Sequence, residues 1–154
     1  MAKIDLDAVP VKSGSRYPAP YDNACKSRRV QRLGDAGGLT HLGVTRLVLP
    51  PGGWSSQRHW HSHEDEFMLV FSGEVVLITD AGEELMRAGD TAAFQAGDRN
   101  GHHVQNRSSQ DAVIFAFSSQ DENDGGEYPD IDLKFTPESA PTLGRYLHKD
   151  GTPY

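Results

Sequence analysis

Apolar and polar positions alternate over short stretches in the central part of the chain, and no stretch of helical length has a 3.6-residue period. From Thr40 to Leu49 the residues are mainly β-branched and aliphatic, which predicts a strand ending at the turn Pro50–Gly53. Turn residues separate the similar runs that follow: Phe67–Phe71, Glu74–Thr79, Glu83–Ala88, Thr91–Gln95, His102–Asn106 and Asp111–Ser118. Short strands separated by frequent turns predict an all-β sandwich or barrel.

Two less regular segments flank the predicted strands. Residues 1–37 contain several prolines without clear periodicity, and we interpret them as an irregular N-terminal arm that packs over the rest. Residues 38–119 hold the predicted barrel. Residues 120–154 begin with an acidic, glycine-rich loop and continue into one candidate edge strand. The length of 154 residues suits a single domain.

The charge of the chain argues against nucleic acid and membrane partners. Fifteen Lys and Arg against 22 Asp and Glu give a net charge of −7, which repels phosphate backbones and anionic lipid surfaces. We interpret the one basic cluster as a solvated face; it comprises Lys26, Arg28, Arg29 and Arg32. Because the chain shows no signal-peptide pattern and no apolar run of bilayer length, we expect a cytoplasmic location.

The stretch from Gly52 to Gly73 carries the strongest chemical signal. His59 and His61 are two residues apart, so a strand would present both imidazoles on one face. Glu66 opens the next predicted strand and reaches the same space if that strand returns antiparallel, whereas His63 falls in the intervening turn. His102 opens a later strand and is the candidate fourth ligand.

This donor set suits a borderline divalent cation, namely Fe, Mn, Ni, Co, Zn or Cu. Cys25 is the single cysteine, so a metal site would use nitrogen and oxygen ligands. The alternative is a group of surface histidines that alternate by chance. By spacing alone, the two interpretations are equally good for His59, His61 and Glu66. For the other four histidines we favour the surface interpretation: His41, His63, His103 and His148.

Two motifs resolve this alternative, because the chain resembles the cupins. The fixed positions of the first cupin signature are all matched: Gly53, His59, His61, Glu66 and Gly73. The second signature is matched less completely, with Gln95 in place of proline and a wider gap before the histidine; its matching residues are Gly89, Gly97, His102 and Asn106. Further stretches resemble a set of small single-domain bacterial cupins: Arg16–Pro18, Arg58–Ser62, Gly101–His103 and His148–Tyr154.

The resemblance implies a double-stranded β-helix, which is a jelly-roll-like barrel with a metal at its mouth. It assigns the metal to His59, His61, Glu66 and His102. Asn106 is expected to be a hydrogen-bonding residue behind these ligands. The resemblance also implies a homodimer, and the N-terminal arm, with Trp54 and Trp60 nearby, is the candidate contact.

We expect Gln57 and Gln95 to line the substrate pocket, since Gln57 has the same strand phase as His59 and Gln95 replaces a proline of the family pattern. We interpret Phe94, Phe115 and Phe117 mainly as core residues.

The predicted function is a metal-dependent enzyme that acts on a small oxygenated metabolite, of the isomerase, dioxygenase, decarboxylase or lyase type. Some of the resembling proteins carry a sugar-phosphate isomerase label. The alternative is a non-catalytic cupin that binds or senses a small molecule. The resemblance supports the fold and the metal rather than a particular substrate.

Overall fold

The alternating segments of the sequence form antiparallel strands, and a computed structural model describes residues 3–139 and 146–154. The strands are β1 (Lys12–Ser13), β2 (Arg29–Arg32), β3 (Leu42–Leu49), β4 (Trp60–His61), β5 (Glu66–Ser72), β6 (Glu74–Thr79), β7 (Gly82–Arg87), β8 (Thr91–Phe94), β9 (His103–Gln105), β10 (Ala112–Ser119), β11 (Gly126–Tyr128) and β12 (Leu133–Phe135). One short helix, α1 (Leu33–Ala36), follows β2, and 3₁₀ turns span Leu6–Ala8, Asn23–Cys25 and Pro137–Ser139.

The strands form one large and two small sheets. The six-stranded sheet has the order β1-β2-β3-β10-β5-β8, and the three-stranded sheets have the orders β7-β6-β9 and β12-β11-β4. All the strand pairs are antiparallel. This arrangement confirms the predicted all-β fold, a double-stranded β-helix.

The main core lies between the six-stranded sheet and the β7-β6-β9 sheet. Alternate residues of each strand point inward and are buried, as expected for two packed sheets. Leu47, Leu49, Met68, Val70 and Ile114 come from the large sheet, and Val75, Leu77, Met86 and Val104 face them from the small one.

One glycine turn is essential to this packing. Gly73 joins β5 to β6 with a φ of +76°, a region that only glycine adopts readily. A Cβ atom at this position would lie 2.8 Å from the Asp111 carbonyl oxygen and 2.9 Å from the Ala112 Cα. The turn therefore needs glycine both for its backbone conformation and for the close approach of β10.

The terminal segments cover one end of the barrel. The N-terminal arm is mostly irregular, but β1 and β2 extend the six-stranded sheet beyond β3. The described part of the C-terminal extension supplies β11 and β12. The two segments share a second, aromatic core: Tyr17, Cys25, Tyr128, Leu133, Phe135 and Tyr146. None of the helices in residues 3–139 and 146–154 is long and apolar enough to cross a membrane.

Candidate metal centre

The four predicted ligands come from neighbouring backbone segments. His59 and His102 face each other in an isolated antiparallel bridge, with N–H···O distances of 3.2 Å and 2.8 Å in the two directions. His61 lies two residues later in β4, and Glu66 is the first residue of β5. Backbone pairing therefore brings together residues that are 43 positions apart, from His59 to His102.

The side chains of these residues converge on one point. The Nε2 atoms of His102, His61 and His59 lie 2.8 Å, 3.6 Å and 3.9 Å from the same oxygen, Oε2 of Glu66. All four side chains are largely buried. The arrangement that the alternate spacing predicts, with two imidazoles on one face and a carboxylate opposite, is present in the structure.

Hydrogen bonds on the far side of two rings fix their tautomers. Nδ1 of His59 donates to the carbonyl oxygen of Gln57 at 3.0 Å, and Nδ1 of His61 donates to Oδ2 of Asp124 at 2.6 Å. In the neutral form of each ring, the proton on Nδ1 leaves Nε2 with a lone pair that faces Glu66. A carboxylate behind a ligating histidine is a common support of metal sites in proteins.

Aromatic rings hold the imidazoles in place. Phe94 stacks on His102 with 3.5 Å between ring centroids and 4° between planes. Tyr128 stacks on His59 at 5.6 Å, and Phe135 meets His61 edge-on at 5.3 Å. The histidine rings are therefore oriented before any ligand arrives.

The electrostatics of the centre favour a bound cation. Burial, together with His61 and His102, lowers the pKa of His59 to about 3, so this imidazole is neutral at physiological pH. Burial alone would raise the pKa of Glu66, but the hydrogen bond with His102 and the nearby His61 and His59 outweigh it and lower the pKa to about 2. Burial lowers the pKa of His61, but the hydrogen bond with Asp124 and the charge of Glu66 outweigh burial and raise the pKa, so a metal at its Nε2 would compete with a proton. The neutral His59 imidazole beside an ionised carboxylate fits a divalent transition metal.

Asp124 is the functional residue that sequence reasoning missed. It is buried within the acidic loop of the C-terminal extension. Besides His61, it accepts hydrogen bonds from the backbone N–H groups of His63 at 2.9 Å and Glu64 at 3.3 Å. His61, Glu64 and Asp124 are also close enough to one another to hold an ion. We nevertheless assign Asp124 a supporting role, because its oxygens already accept these bonds.

Asn106 joins three segments of the barrel. It is fully buried, and its Nδ2 donates to the carbonyl oxygens of Leu49 and Gln110, each at 2.7 Å. Its Oδ1 accepts from the backbone N–H of Ser108 at 2.9 Å. These bonds connect the ends of β3 and β9 to the start of β10, and a role in supporting the metal ligands stays a prediction.

A cavity of about 330 Å³ opens beside the four ligands. Apolar surface predominates in its wall, which also includes these polar and charged residues: Tyr17, Arg28, Arg32, Thr45, Ser55, Ser56 and Tyr128. Neither of the predicted pocket glutamines is among the described residues that line it. The Gln57 amide donates to the Tyr21 carbonyl at 2.7 Å, and Gln95 lines a separate cavity of about 590 Å³.

Two surface interpretations are wrong. His103 is buried, and its Nδ1 lies 2.9 Å from the Ser56 carbonyl oxygen while its ring meets Trp54 edge-on at 4.7 Å. The reason is that both faces of β9 are covered. In the basic cluster, Lys26 and the side chains of Arg29 and Arg32 are exposed as expected, and Arg32 also borders the cavity. Arg28 is half-buried and lines the cavity, with a backbone carbonyl as partner, so for this residue the surface interpretation is wrong.

The fold and the site define a β-barrel protein with a candidate metal centre at the wall of a cavity. A cupin domain model matches residues 45–118. A crystal structure from Silicibacter pomeroyi, described as a sugar phosphate isomerase from a cupin superfamily, is 40% identical, with a TM-score of 0.90 over 99% of this chain and 96% of that chain. The chain therefore belongs to the cupin superfamily.

More distant structures extend the comparison. A putative sugar phosphate isomerase from Acidithiobacillus ferrooxidans is 26% identical, with a TM-score of 0.68 over 71% of this chain and 70% of that chain. A predicted oxalate decarboxylase from Thermotoga maritima is 19% identical, with a TM-score of 0.63 over 77% of this chain and 98% of that chain, which supports the fold alone. No curated protein matches the chain.

Proposed function

We propose that the protein is a divalent-metal-dependent enzyme that isomerises a small oxygenated metabolite of the sugar type. The observation that carries this proposal is the convergence of three Nε2 atoms on Oε2 of Glu66 at the wall of a cavity of about 330 Å³. A pocket of this size holds a small metabolite.

The proposed metal ligands are His59, His61, Glu66 and His102. They would hold one divalent ion, which is Fe, Mn, Ni, Co, Zn or Cu. Such an ion supplies Lewis-acid polarisation of substrate oxygens. Asp124 and the Gln57 carbonyl keep two of the imidazoles oriented towards it.

Hydroxyl groups of the cavity wall would bind the substrate oxygens. Burial raises the pKa of Tyr17 and that of Tyr128, so both phenols stay protonated at neutral pH. The Tyr128 hydroxyl is engaged with Tyr17 and Tyr146, which leaves Tyr17 as the candidate phenol donor. Thr45, Ser55 and Ser56 add aliphatic hydroxyls to the same wall. These hydroxyl groups, set in a mostly apolar wall, can bind the oxygens of a small ligand.

The comparisons favour isomerisation over the other reaction types that the sequence left open. The Silicibacter pomeroyi protein, described as a sugar phosphate isomerase, matches this chain over nearly its full length. The putative sugar phosphate isomerase from Acidithiobacillus ferrooxidans points the same way. This support comes from likeness, so the reaction itself needs a direct test.

The test is an NMR assay of aldose–ketose interconversion on a panel of sugars and sugar phosphates. We expect metal-loaded protein to convert at least one of them, and chelator-treated protein or the Glu66→Gln variant to convert none. Glu74→Gln serves as the matched control, because it removes a half-exposed carboxylate at the start of β6. Conversion that survives chelation, or the absence of conversion by protein that holds metal, would contradict the proposal, and the second result would support the binding or sensing alternative.

We also propose that two copies associate through the outer face of the six-stranded sheet. Phe67 is 42% exposed and Phe71 is 63% exposed on this face. The Phe67 ring lies 6.2 Å from the half-buried ring of Phe117, and the Phe71 ring lies 5.5 Å from that of Phe115, measured between centroids. A cluster of exposed aromatic rings marks an interaction surface. The homodimer, the expected contact by the N-terminal arm and the cytoplasmic location stay predictions.

A further inference from the structure

The basic residues of β2 are placed by strand alternation. Val30 pairs with Leu47 and Arg32 pairs with Thr45, and all four residues line the cavity beside the metal ligands. Arg28, two residues before Val30, lines the same cavity. Since alternate residues of a strand share a face, Arg28 and Arg32 lie on the face of this segment that borders the cavity.

A second cavity of about 310 Å³ continues the first towards the N-terminal arm. The two share Tyr17, Arg28, Val30 and Arg32, and the second adds the basic side chains of Lys12 and Arg16. Among the described residues that line either cavity, Glu66 is the single carboxylate. A positive patch in a molecule of net charge −7 is a local attractor for anions.

The register of the large sheet relates this patch to β5, the strand that begins with the ligand Glu66. Met68, Ala116, Thr45 and Arg32 form one row across β5, β10, β3 and β2. Three strand spacings of about 4.8 Å separate the ends of the row by about 14 Å. Ala116 and Thr45, the two middle residues of the row, are small and line the cavity. This span suits a small molecule with an anionic group at one end and metal-binding oxygens at the other.

We propose that Arg28 and Arg32, with Lys12 at the rim, form a subsite for the phosphate group of a phosphorylated sugar whose other end faces His59, His61, Glu66 and His102. Guanidinium groups bind phosphate in a bidentate manner, and a phosphate monoester carries about two negative charges at neutral pH. A site with several basic side chains therefore suits a phosphate dianion better than it suits a ligand that carries one carboxylate. The assignment of the substrate as a sugar rests on the proposed function, whereas phosphate binding does not.

The two arginines have different supports. The Nε of Arg28 donates to the Gly14 carbonyl at 2.9 Å, and its Nη1 donates to the Ser55 carbonyl, so backbone groups hold this guanidinium in place. The Nε of Arg32 pairs with Oδ2 of Asp35 at 2.8 Å, and both side chains of this pair are exposed. Because exposed pairs contribute little to stability, Arg32 can be replaced without unfolding the chain.

The test is calorimetric titration with inorganic phosphate of the parent, Arg32→Gln and Arg29→Gln. Arg29 is the matched control: it lies on the same strand, loses the same charge and pairs with exposed Asp111 outside the cavity. We expect Arg32→Gln to weaken phosphate binding about tenfold or more through the loss of charge-assisted hydrogen bonds, and Arg29→Gln to change it less than about twofold. Arg28→Gln is measured alongside, and thermal unfolding verifies that each variant is folded.

Three results would overturn the subsite: no saturable phosphate binding by the parent, equal effects of Arg32→Gln and Arg29→Gln, or equal affinity for acetate and phosphate. The double variant His59→Ala, His61→Ala separates this proposal from the previous one. If the double variant alone loses phosphate binding, phosphate binds at the metal and the subsite is wrong. If the parent holds no metal and isomerises no sugar, yet Arg32→Gln still weakens phosphate binding, the proposed function fails and the subsite stands.

Discussion

Asp124 is the residue on which the orientation of the His61 imidazole depends. Local spacing could not reveal it, because it lies 63 positions after His61 in a loop whose composition is typical of solvent-exposed turns. The two residues meet because β11, directly after the loop, pairs with β4. His59, His61 and Glu66 are different: strand alternation and a short turn were enough to predict that they converge.

The Asp124→Asn substitution tests this role. The amide keeps the shape of the side chain but removes the negative charge that strengthens the hydrogen bond from Nδ1 of His61. We therefore expect metal affinity to fall about 10- to 100-fold. Competition with a chelating dye measures the affinity. Glu122→Gln, in the exposed part of the same loop, is the control and should bind as the parent does. Equal affinities of the two variants would exclude a supporting role for Asp124.

Cys25 provides a second prediction at the scale of a single residue. Its thiol is fully buried, and burial raises its pKa to about 11 although nearby Arg28 opposes the shift. Since the thiolate is the reactive form, we expect negligible labelling by a thiol reagent at pH 8 in the folded protein and rapid labelling in denaturant. Fast labelling under native conditions would show that the aromatic core around Cys25 opens readily.

At the scale of elements, the strands of the barrel were predictable because each has one buried face and ends at a turn. β2 was not, since Arg32 in this strand and Arg28 just before it border the cavity and not the apolar core. His103 was misjudged for the opposite reason: a polar residue in a short strand is buried when both faces are covered. Hydrophobic alternation therefore does not predict where polar residues with buried partners lie.

The turn between β5 and β6 gives a prediction about stability. Gly73 and Gly52 have nearly the same φ, +76° and +80°. Gly73→Ala places a Cβ atom against the backbone of β10, whereas the Cβ atom of Gly52→Ala meets nothing within 4 Å. We expect Gly52→Ala to lower the free energy of unfolding by about 1 kcal/mol through backbone strain, and Gly73→Ala by about 1–3 kcal/mol more through steric overlap. Urea denaturation measures both. Equal losses would mean that β10 does not approach this turn closely.

At the scale of the whole molecule, an aromatic face on the large sheet remains uncovered in the single chain. We expect the parent to elute at about twice 16.9 kDa in size-exclusion chromatography with light scattering. Phe71→Lys should shift it towards the monomer, because a charge at the centre of an apolar contact is costly to bury. Leu85→Lys, which alters an exposed apolar residue of β7, is the control. A monomeric parent, or equal behaviour of the two variants, would contradict the dimer.

The central claim is that four side chains from three parts of the chain hold one metal ion, and elemental analysis of protein purified without a histidine tag tests it most directly. We predict about one Fe, Mn, Ni, Co, Zn or Cu per chain in the parent and in a control that lacks the surface residues His41 and His148. The double variant His59→Ala, His61→Ala should hold none. A parent that stays metal-free after incubation with each of these ions would contradict the claim.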